Sequence, residues 1–219
     1  MRWFHPERGW VPPDEFIPLA EKTGVIKHLT RWVVDQALAD LKALQSASPG
    51  LTMSVNISAR DLLSPGLDEL FESALKTYGL QAGDVIVELT ETAAMDDPEK
   101  GLQALERLSS SGLKVSIDDF GAGYSSLSYL KRLPADEIKL DRSLLQDICT
   151  SESSRMIAET AITMGRSLGF LVVAEGVEDE ASARLLATMG ADMLQGFCLC
   201  RPAPLESIKD WLLTSNAAV

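Results

Sequence analysis

Six short apolar runs alternate with helix-like segments along this chain, and that alternation constrains its fold more than any other feature. The runs are LTMSVNIS, VIVELT, KVSID, EIKLD, FLVVAEG and MLQGF. Strand-like runs alternating with amphipathic helices favour a parallel sheet built from βα units. Gly79, Gly112, Gly169 and Gly190 follow apolar periodic segments, where the residue after a helix needs a positive φ. The sequence therefore predicts an α/β fold with six such units.

A polar or ionisable residue ends each predicted strand, always at the carboxyl end. In chain order these residues are Asn56, Glu88, the pair Asp118 and Asp119, Lys139, Glu175 and Gln195. In a (β/α) barrel these strand ends converge on one mouth, where active sites lie. Any one of them could be a solvated residue or a helix cap, but six in succession favour a shared site. Because such a barrel closes with eight strands, we predict a TIM-like (β/α) barrel that lacks about two N-terminal strands.

Two adjacent carboxylates, Asp118 and Asp119, stand at the end of the third apolar run. Burying an unpaired carboxylate is costly, so we expect positive charge beside them. Neighbouring strand residues face opposite sides of a sheet, yet at a strand end the second can turn toward the mouth. The cluster holds no histidine, because His5 and His28 fall in the predicted N-terminal helical region. Oxygen ligands favour Mg²⁺ or Mn²⁺, and two acids from one turn suit a two-metal phosphoryl site.

Charge and hydropathy narrow the possible partners. A net charge of −12 argues against nonspecific binding to nucleic acid or to an anionic membrane. An anionic ligand is still compatible with that charge where metal ions reverse the local field. No apolar run is long enough to span a bilayer, and the N-terminus has no signal-peptide core. The expectation is a cytoplasmic protein forming a single domain over residues 1–219.

The three cysteines, Cys149, Cys198 and Cys200, do not make a disulfide framework, because their number is odd. Cys198 and Cys200 have no second pair and no nearby histidine to complete a metal site. We therefore predict reduced structural thiols, as is usual in the cytosol.

Eight motifs resemble, in order, the motif series of the EAL-domain family. They are RWFHPERG, FIPLAEKTGVI, VNIS, ELTET, DDFGAGYSSLSYL, KLDRS, VVAEGVE and QGFCLCRP. The resemblance covers essentially the whole chain, and the combined motifs are specific. It implies a TIM-like barrel that hydrolyses the bacterial second messenger cyclic di-GMP to linear pGpG with two Mg²⁺ or Mn²⁺ ions.

The resemblance also implies a role for each matching residue. Lys139 matches the lysine that orients the attacking water, and Glu175 matches the acid that supports metal and water. The positions that match the family's metal ligands are Asn56, Glu88, Asp118 and Asp119.

Three further residues match positions around that site. Glu91 matches the glutamate that steadies the loop at 119–126, a loop linked in the family to metal binding and dimerisation. Gln195 matches a residue near substrate and metal, and Arg2 matches the arginine that meets a substrate phosphate. Ala122 stands where the family usually has threonine. The resemblance also implies a homodimer, and it implies fused sensory or GGDEF-type domains in a longer parent protein.

The resemblance departs from the family at the front of the chain. The Glu-Ala-Leu triplet, whose glutamate is a metal ligand in active members, would fall immediately before Met1. Either the chain is part of a larger enzyme or it truly lacks the triplet, and the intact downstream motifs favour the first. Two other hypotheses stay open. One is a receptor that binds cyclic di-GMP without cutting it, and the other is a Mg²⁺-dependent carbon-acid enzyme with Lys139 as base.

Overall fold

The computed structural model describes residues 1, 3–95, 97–122 and 127–215. Its strands are β1 (Trp3–His5), β2 (Gly9–Val11), β3 (Met53–Asn56), β4 (Val85–Thr90), β5 (Lys114–Phe120), β6 (Glu137–Leu140), β7 (Leu171–Ala174) and β8 (Met193–Leu194). The first helices are α1 (Pro13–Thr23), α2 (Ile26–Gln45), α3 (Ala59–Leu62), α4 (Leu67–Tyr78), α5 (Glu91–Met95) and α6 (Pro98–Ser110). The others are α7 (Leu127–Leu130), α8 (Arg142–Leu145), α9 (Glu152–Ser167), α10 (Glu180–Met189) and α11 (Leu205–Ser215).

Strands β3 to β8 form one six-stranded sheet in which spatial order equals chain order. Every neighbouring pair is parallel. Because parallel strands need crossover connections, helices separate them along the chain. The prediction of six βα units is confirmed, and their order is that of consecutive strands in a (β/α) barrel.

Alternate residues of the central strands face the helices and make the core. Val115 and Ile117 of β5 and Ile138 of β6 are fully buried. Ile138 and Val172 lie so close to Gly165 of α9 that a Cβ there would meet them at 2.5 and 2.8 Å. Burial of each such side chain stabilises the fold by roughly 1.5–3 kcal/mol. With these residues directed at the helices, the intervening polar residues face the barrel interior.

The N-terminal region corrects one prediction. Residues Trp3–His5 and Gly9–Val11 form an antiparallel hairpin before α1, so His5 lies in a strand rather than in a helical region. Phe4 and Trp10 pair across the hairpin with ring centroids 5.3 Å apart. Strands of three residues are too short for their alternation to be recognised in sequence.

The expected glycine helix ends are confirmed. Gly79, Gly112, Gly169 and Gly190 have φ values of 63°, 87°, 93° and 94°.

Within the described ranges, no helix combines the length and apolar character needed to cross a membrane. Cys149, Cys198 and Cys200 are free thiols.

Candidate active site

Asn56 and Glu88 form the first part of a polar cluster at the carboxyl ends of the strands. The parallel register sets Asn56 of β3 directly opposite Glu88 of β4. Asn56 Nδ2 donates a hydrogen bond of 2.9 Å to Glu88 Oε2. Glu88 is only 4% exposed. The bond fixes the Asn56 amide so that its carbonyl oxygen is left for another partner.

Lys139 of β6 lies at the centre of the cluster and is buried. Its Nζ is 2.5 Å from Glu175 Oε1 and 3.0 Å from Glu88 Oε1. Asp118 Oδ1 lies 3.7 Å from the same nitrogen. Burial alone would lower the pKa of Lys139, but Glu88, Glu175 and Asp118 together raise it above its ordinary value. The ammonium is thus the positive group that the paired aspartates required.

A bulge in β5 explains how both aspartates reach the mouth. Ile117 pairs with Ile138 and Phe120 pairs with Leu140, so two residues of β5 oppose the single residue Lys139 of β6. Such bulges re-aim side chains. Asp119 has a φ of 56°, a left-handed conformation that is uncommon outside glycine. The expectation that the second aspartate turns toward the mouth is confirmed.

Three carboxylates converge beside Lys139. One oxygen from each of Asp118, Asp119 and Glu175 lies within 4.8 Å of the others. Burial and the neighbouring Asp118 raise the pKa of Asp119. Burial also raises the pKa of Glu175, although its hydrogen bond with Lys139 opposes that shift. Carboxylates that lie this close together repel one another, and a bound cation would relieve that repulsion.

Glu91 and Gly121 connect the cluster to the short helix α5. Glu91 is 5% exposed, and its Oε2 accepts a hydrogen bond of 3.1 Å from the Gly121 backbone N–H. The turn begins at Asp119, whose carbonyl accepts from the Ala122 N–H at 3.1 Å. Glu91 therefore holds the backbone two residues after Asp119.

Backbone hydrogen bonds place Gln195 near the cluster, whereas Arg2 lies outside the described residues. The Gln195 N–H donates to the Ala174 carbonyl at 2.8 Å, and its carbonyl accepts from Val177 at 3.0 Å. These bonds place its backbone at the carboxyl end of β7, beside Glu175, and the residue is exposed. Arg2 lies outside the described residues, as does the 123–126 part of the 119–126 loop.

The donor set fits hard divalent cations. The side chains that converge offer carboxylate and amide oxygens without sulfur or imidazole, the set that Mg²⁺ and Mn²⁺ prefer. Both Glu88 oxygens already accept hydrogen bonds or ion pairs, from Asn56 and from Lys139. A cation at Glu88 would therefore share an oxygen that already has a partner in the protein.

Sequence reasoning missed one buried polar pair below the cluster. Ser116 Oγ donates to Glu137 Oε1 at 2.7 Å, and both side chains are buried. The register puts Glu88, Ser116 and Glu137 side by side on three strands. Burial raises the pKa of Glu137, and the Ser116 hydrogen bond partly offsets the rise. The signal was available, because Glu137 and Lys139 are two residues apart on one strand.

The chain is similar in sequence to a known domain family and to curated bacterial proteins. The family model described as EAL domain matches residues 1–202. The chain is 42% identical over 209 residues to the bifunctional diguanylate cyclase/cyclic di-GMP phosphodiesterase MucR of Pseudomonas aeruginosa, covering 95% of this chain and 30% of that protein. It is 41% identical to the cyclic di-GMP phosphodiesterase NbdA of the same organism, covering 97% of this chain and 27% of that protein. The chain thus spans less than a third of these relatives.

Solved structures show the same fold. A structure of the PaMucR phosphodiesterase in complex with c-di-GMP superposes with a TM-score of 0.89 at 41% identity, covering 94% of this chain and 84% of that one. The FimX EAL domain of Pseudomonas aeruginosa bound to c-di-GMP superposes with a TM-score of 0.82 at 27% identity, covering 92% and 81%. Both neighbours hold the same cyclic dinucleotide.

Proposed function

The chain belongs to the EAL domain family, and on that premise we propose that it is a phosphodiesterase that hydrolyses cyclic di-GMP to linear pGpG. Its relatives MucR and NbdA are named cyclic di-GMP phosphodiesterases. The structural neighbours bound to c-di-GMP support the same substrate.

One observation carries the proposal. The ammonium of Lys139 is buried among Glu88, Asp118 and Glu175, at the strand ends where a (β/α) barrel has its active site. A purely structural ion pair needs one carboxylate for one lysine. The excess of acid here suits a site built to bind cations and an anionic substrate together.

We propose that two divalent cations, Mg²⁺ or Mn²⁺, are held by Asn56, Glu88, Asp118 and Asp119, with support from Glu175. Such cations polarise phosphoryl oxygens and acidify water when bound. The close approach of Asp118, Asp119 and Glu175 oxygens supports this ligand set. The Asn56–Glu88 hydrogen bond supports it as well, because it orients both side chains before any ligand enters.

Lys139 and Glu175 would act on the attacking water. The raised pKa of Lys139 keeps its ammonium protonated, so it can donate a hydrogen bond to the water oxygen and orient it. Glu175, with its pKa raised by burial, is the adjacent carboxylate that can accept a proton. A lysine that stays protonated is a poor general base, which argues against the carbon-acid alternative.

The other predicted roles complete the proposal. Glu91 would steady the 119–126 loop, Gln195 would lie beside the substrate, and Arg2 would meet a phosphate of cyclic di-GMP. Because the curated relatives are much longer, we propose that the single domain at 1–219 works beside fused sensory or GGDEF-type domains in a cytoplasmic protein. A homodimer is the proposed assembly.

The test is direct. The protein is incubated with cyclic di-GMP and Mn²⁺, and pGpG is followed by chromatography. Turnover should disappear in Glu88→Ala and Lys139→Ala and persist in Glu180→Gln, which changes an exposed carboxylate on α10. Binding of cyclic di-GMP without pGpG would instead establish the receptor alternative. Neither binding nor turnover would overturn both.

A further inference from the structure

We propose that Lys139 competes with the proposed cations for Glu88, so that the two cation positions differ in affinity. The Lys139 ammonium must leave Glu88 before a cation binds there, whereas Asp118 and Asp119 accept one without that exchange. This regulation of loading deepens the proposed function and rests on its ligand set. Cation binding decides it, whether or not the protein turns over cyclic di-GMP.

Both carboxylate oxygens of Glu88 already have a partner in the chain. Lys139 Nζ lies 3.0 Å from Oε1, and Asn56 Nδ2 donates to Oε2 at 2.9 Å. The Glu88 side chain is only 6% exposed, so there is little water to screen a second positive charge. Two like charges on one carboxylate repel strongly under these conditions. Glu88 therefore serves either the ammonium or a cation, but not both.

Glu175 gives the Lys139 ammonium another partner when it leaves Glu88. Glu175 Oε1 is 2.5 Å from Nζ, the shortest of the ammonium's three contacts in this cluster. The Glu175 side chain is 18% exposed, against 6% for Glu88. Because the lysine stem is flexible, the ammonium can keep Glu175 and release Glu88 by side-chain rotation alone. That shift brings the ammonium closer to solvent, on the side where the attacking water of the proposed mechanism enters.

The paired aspartates are less affected by this competition. Asp118 Oδ1 is 3.7 Å from Lys139 Nζ, which is beyond hydrogen-bond distance. Asp119 is exposed, and across the part of the chain that the structure describes no lysine or arginine pairs with it. One oxygen from each aspartate lies within 4.8 Å of the other. These two side chains can therefore accept a cation while the ammonium stays on Glu88.

Unequal positions make the loading of the site sequential. At a low cation concentration the aspartate side would be filled while Glu88 still holds the ammonium. The two-metal arrangement is complete only at a higher concentration, once the ammonium has given way. The apparent affinity at Glu88 falls by the fraction of molecules in which the ammonium has left it. Lys139 thus sets the cation concentration at which the site becomes competent.

Binding of Mn²⁺ without substrate tests the competition. Electron paramagnetic resonance counts free Mn²⁺ as the protein is titrated. The wild type should bind two ions with unequal affinities, and Lys139→Met should tighten the weaker one roughly tenfold or more. The matched control is Lys100→Met, because Lys100 pairs with Asp97 at 2.7 Å on the surface, and it should bind Mn²⁺ as the wild type does. Unchanged or weaker binding in Lys139→Met overturns the inference.

A double variant separates competition for Glu88 from general repulsion. Glu88→Gln removes the charge that holds the ammonium, so adding Lys139→Met to it should change the affinity for Mn²⁺ little. A gain as large as in the wild-type background would mean that Lys139 repels cations without competing for Glu88, and the inference would fall. The double variant removes one charge of each sign, so it leaves fewer unpaired buried charges than Lys139→Met alone.

Nuclear magnetic resonance of the wild type needs no stable variant. The Nζ resonance of Lys139 should shift chiefly as Mg²⁺ fills the weaker position, and a resonance that does not move at saturating Mg²⁺ overturns the inference. A protein that binds two ions in this way but makes no pGpG refutes the proposed hydrolysis and leaves the competition established. A wild type that binds no divalent ion refutes the cation site, and the inference with it.

Discussion

Nζ of Lys139 lies 3.0 Å from Oε1 of Glu88, and the two side chains are 4% and 6% exposed. Moving an ion pair out of water costs hydration free energy that a single contact barely offsets. Here the ammonium also contacts Glu175 and Asp118, so three contacts together offset the lost hydration. Removing the lysine would leave these carboxylates repelling one another with little access to solvent.

We expect Lys139→Met to lower the free energy of unfolding by about 3–5 kcal/mol at neutral pH with chelator present. Part of that loss should return when Mn²⁺ is added, because a bound cation replaces the missing positive charge. Urea unfolding followed by circular dichroism measures both. The control is Lys100→Met, which removes an exposed pair with Asp97 and should leave the free energy of unfolding nearly unchanged.

Replacing Glu88 by glutamine should weaken Mn²⁺ binding by about tenfold or more. Glutamine keeps the shape but loses the charge, and its single acceptor oxygen cannot serve both Asn56 and Lys139. Titration calorimetry measures the affinity, with Glu180→Gln as the exposed counterpart. Equal Mn²⁺ affinity in Glu88→Gln and wild type would remove Glu88 from the ligand set.

Gly121→Ala should cost both stability and activity. Gly121 has a φ of 97°, and a Cβ there would overlap Leu144 Cδ1. Gly24→Ala isolates the backbone contribution, because Gly24 has a φ of 77° and no atom within 4 Å of its Cβ position. The control should lose about 1–2 kcal/mol from the left-handed conformation alone and keep its turnover.

Gly121→Ala should lose more stability than Gly24→Ala and most of its pGpG production. Adding Leu144→Ala should recover the steric part of the loss, while the backbone strain persists. Wild-type turnover in Gly121→Ala would show that Asp119 does not depend on this turn.

Glu137→Gln should stabilise the metal-free protein against unfolding at pH 8. The folded-state pKa of Glu137 is raised, chiefly by burial, so the folded protein holds this proton more tightly than the unfolded chain. At low pH the carboxyl is protonated in both states and contributes nothing. As the pH rises from the ordinary glutamate pKa through the raised folded-state value, ionisation destabilises the wild type.

The difference between Glu137→Gln and wild type should therefore grow from pH 5 to pH 8. Urea unfolding at the two pH values in chelator measures it, and Ser116 can still donate to the glutamine oxygen. The control is the exposed Glu180→Gln, which should change the free energy of unfolding little. A Glu137→Gln protein that is less stable than wild type at pH 8 would contradict the argument.

The sheet and the location of the site could be predicted from the sequence because both follow from local patterns. Each apolar run ends at a residue such as Asn56 or Glu175, and parallel strands bring all their carboxyl ends to one edge. The adjacent pair Asp118–Asp119 indicated a turn of the second aspartate. The structure adds its cause, the bulge opposite Lys139.

The contacts made by Tyr129 and the hairpin at Trp3–His5 could not be predicted in the same way. Tyr129 and Ala94 are 35 residues apart, and no periodicity connects a hydroxyl on one short helix with a carbonyl on another. The hairpin strands have three residues each, below the length at which alternation becomes visible. Long-range side-chain contacts and very short elements are fixed by tertiary packing.

The ammonium of Lys139 is a counterion to the acidic cluster that the chain itself supplies. The barrel need not wait for cations in order to fold, since a charge within the chain already balances part of the acid. We expect protein made under metal starvation to persist intact but idle, and to recover when cations return without new synthesis. The cation supply would then govern the rate of the proposed hydrolysis, whereas the amount of folded protein would not change.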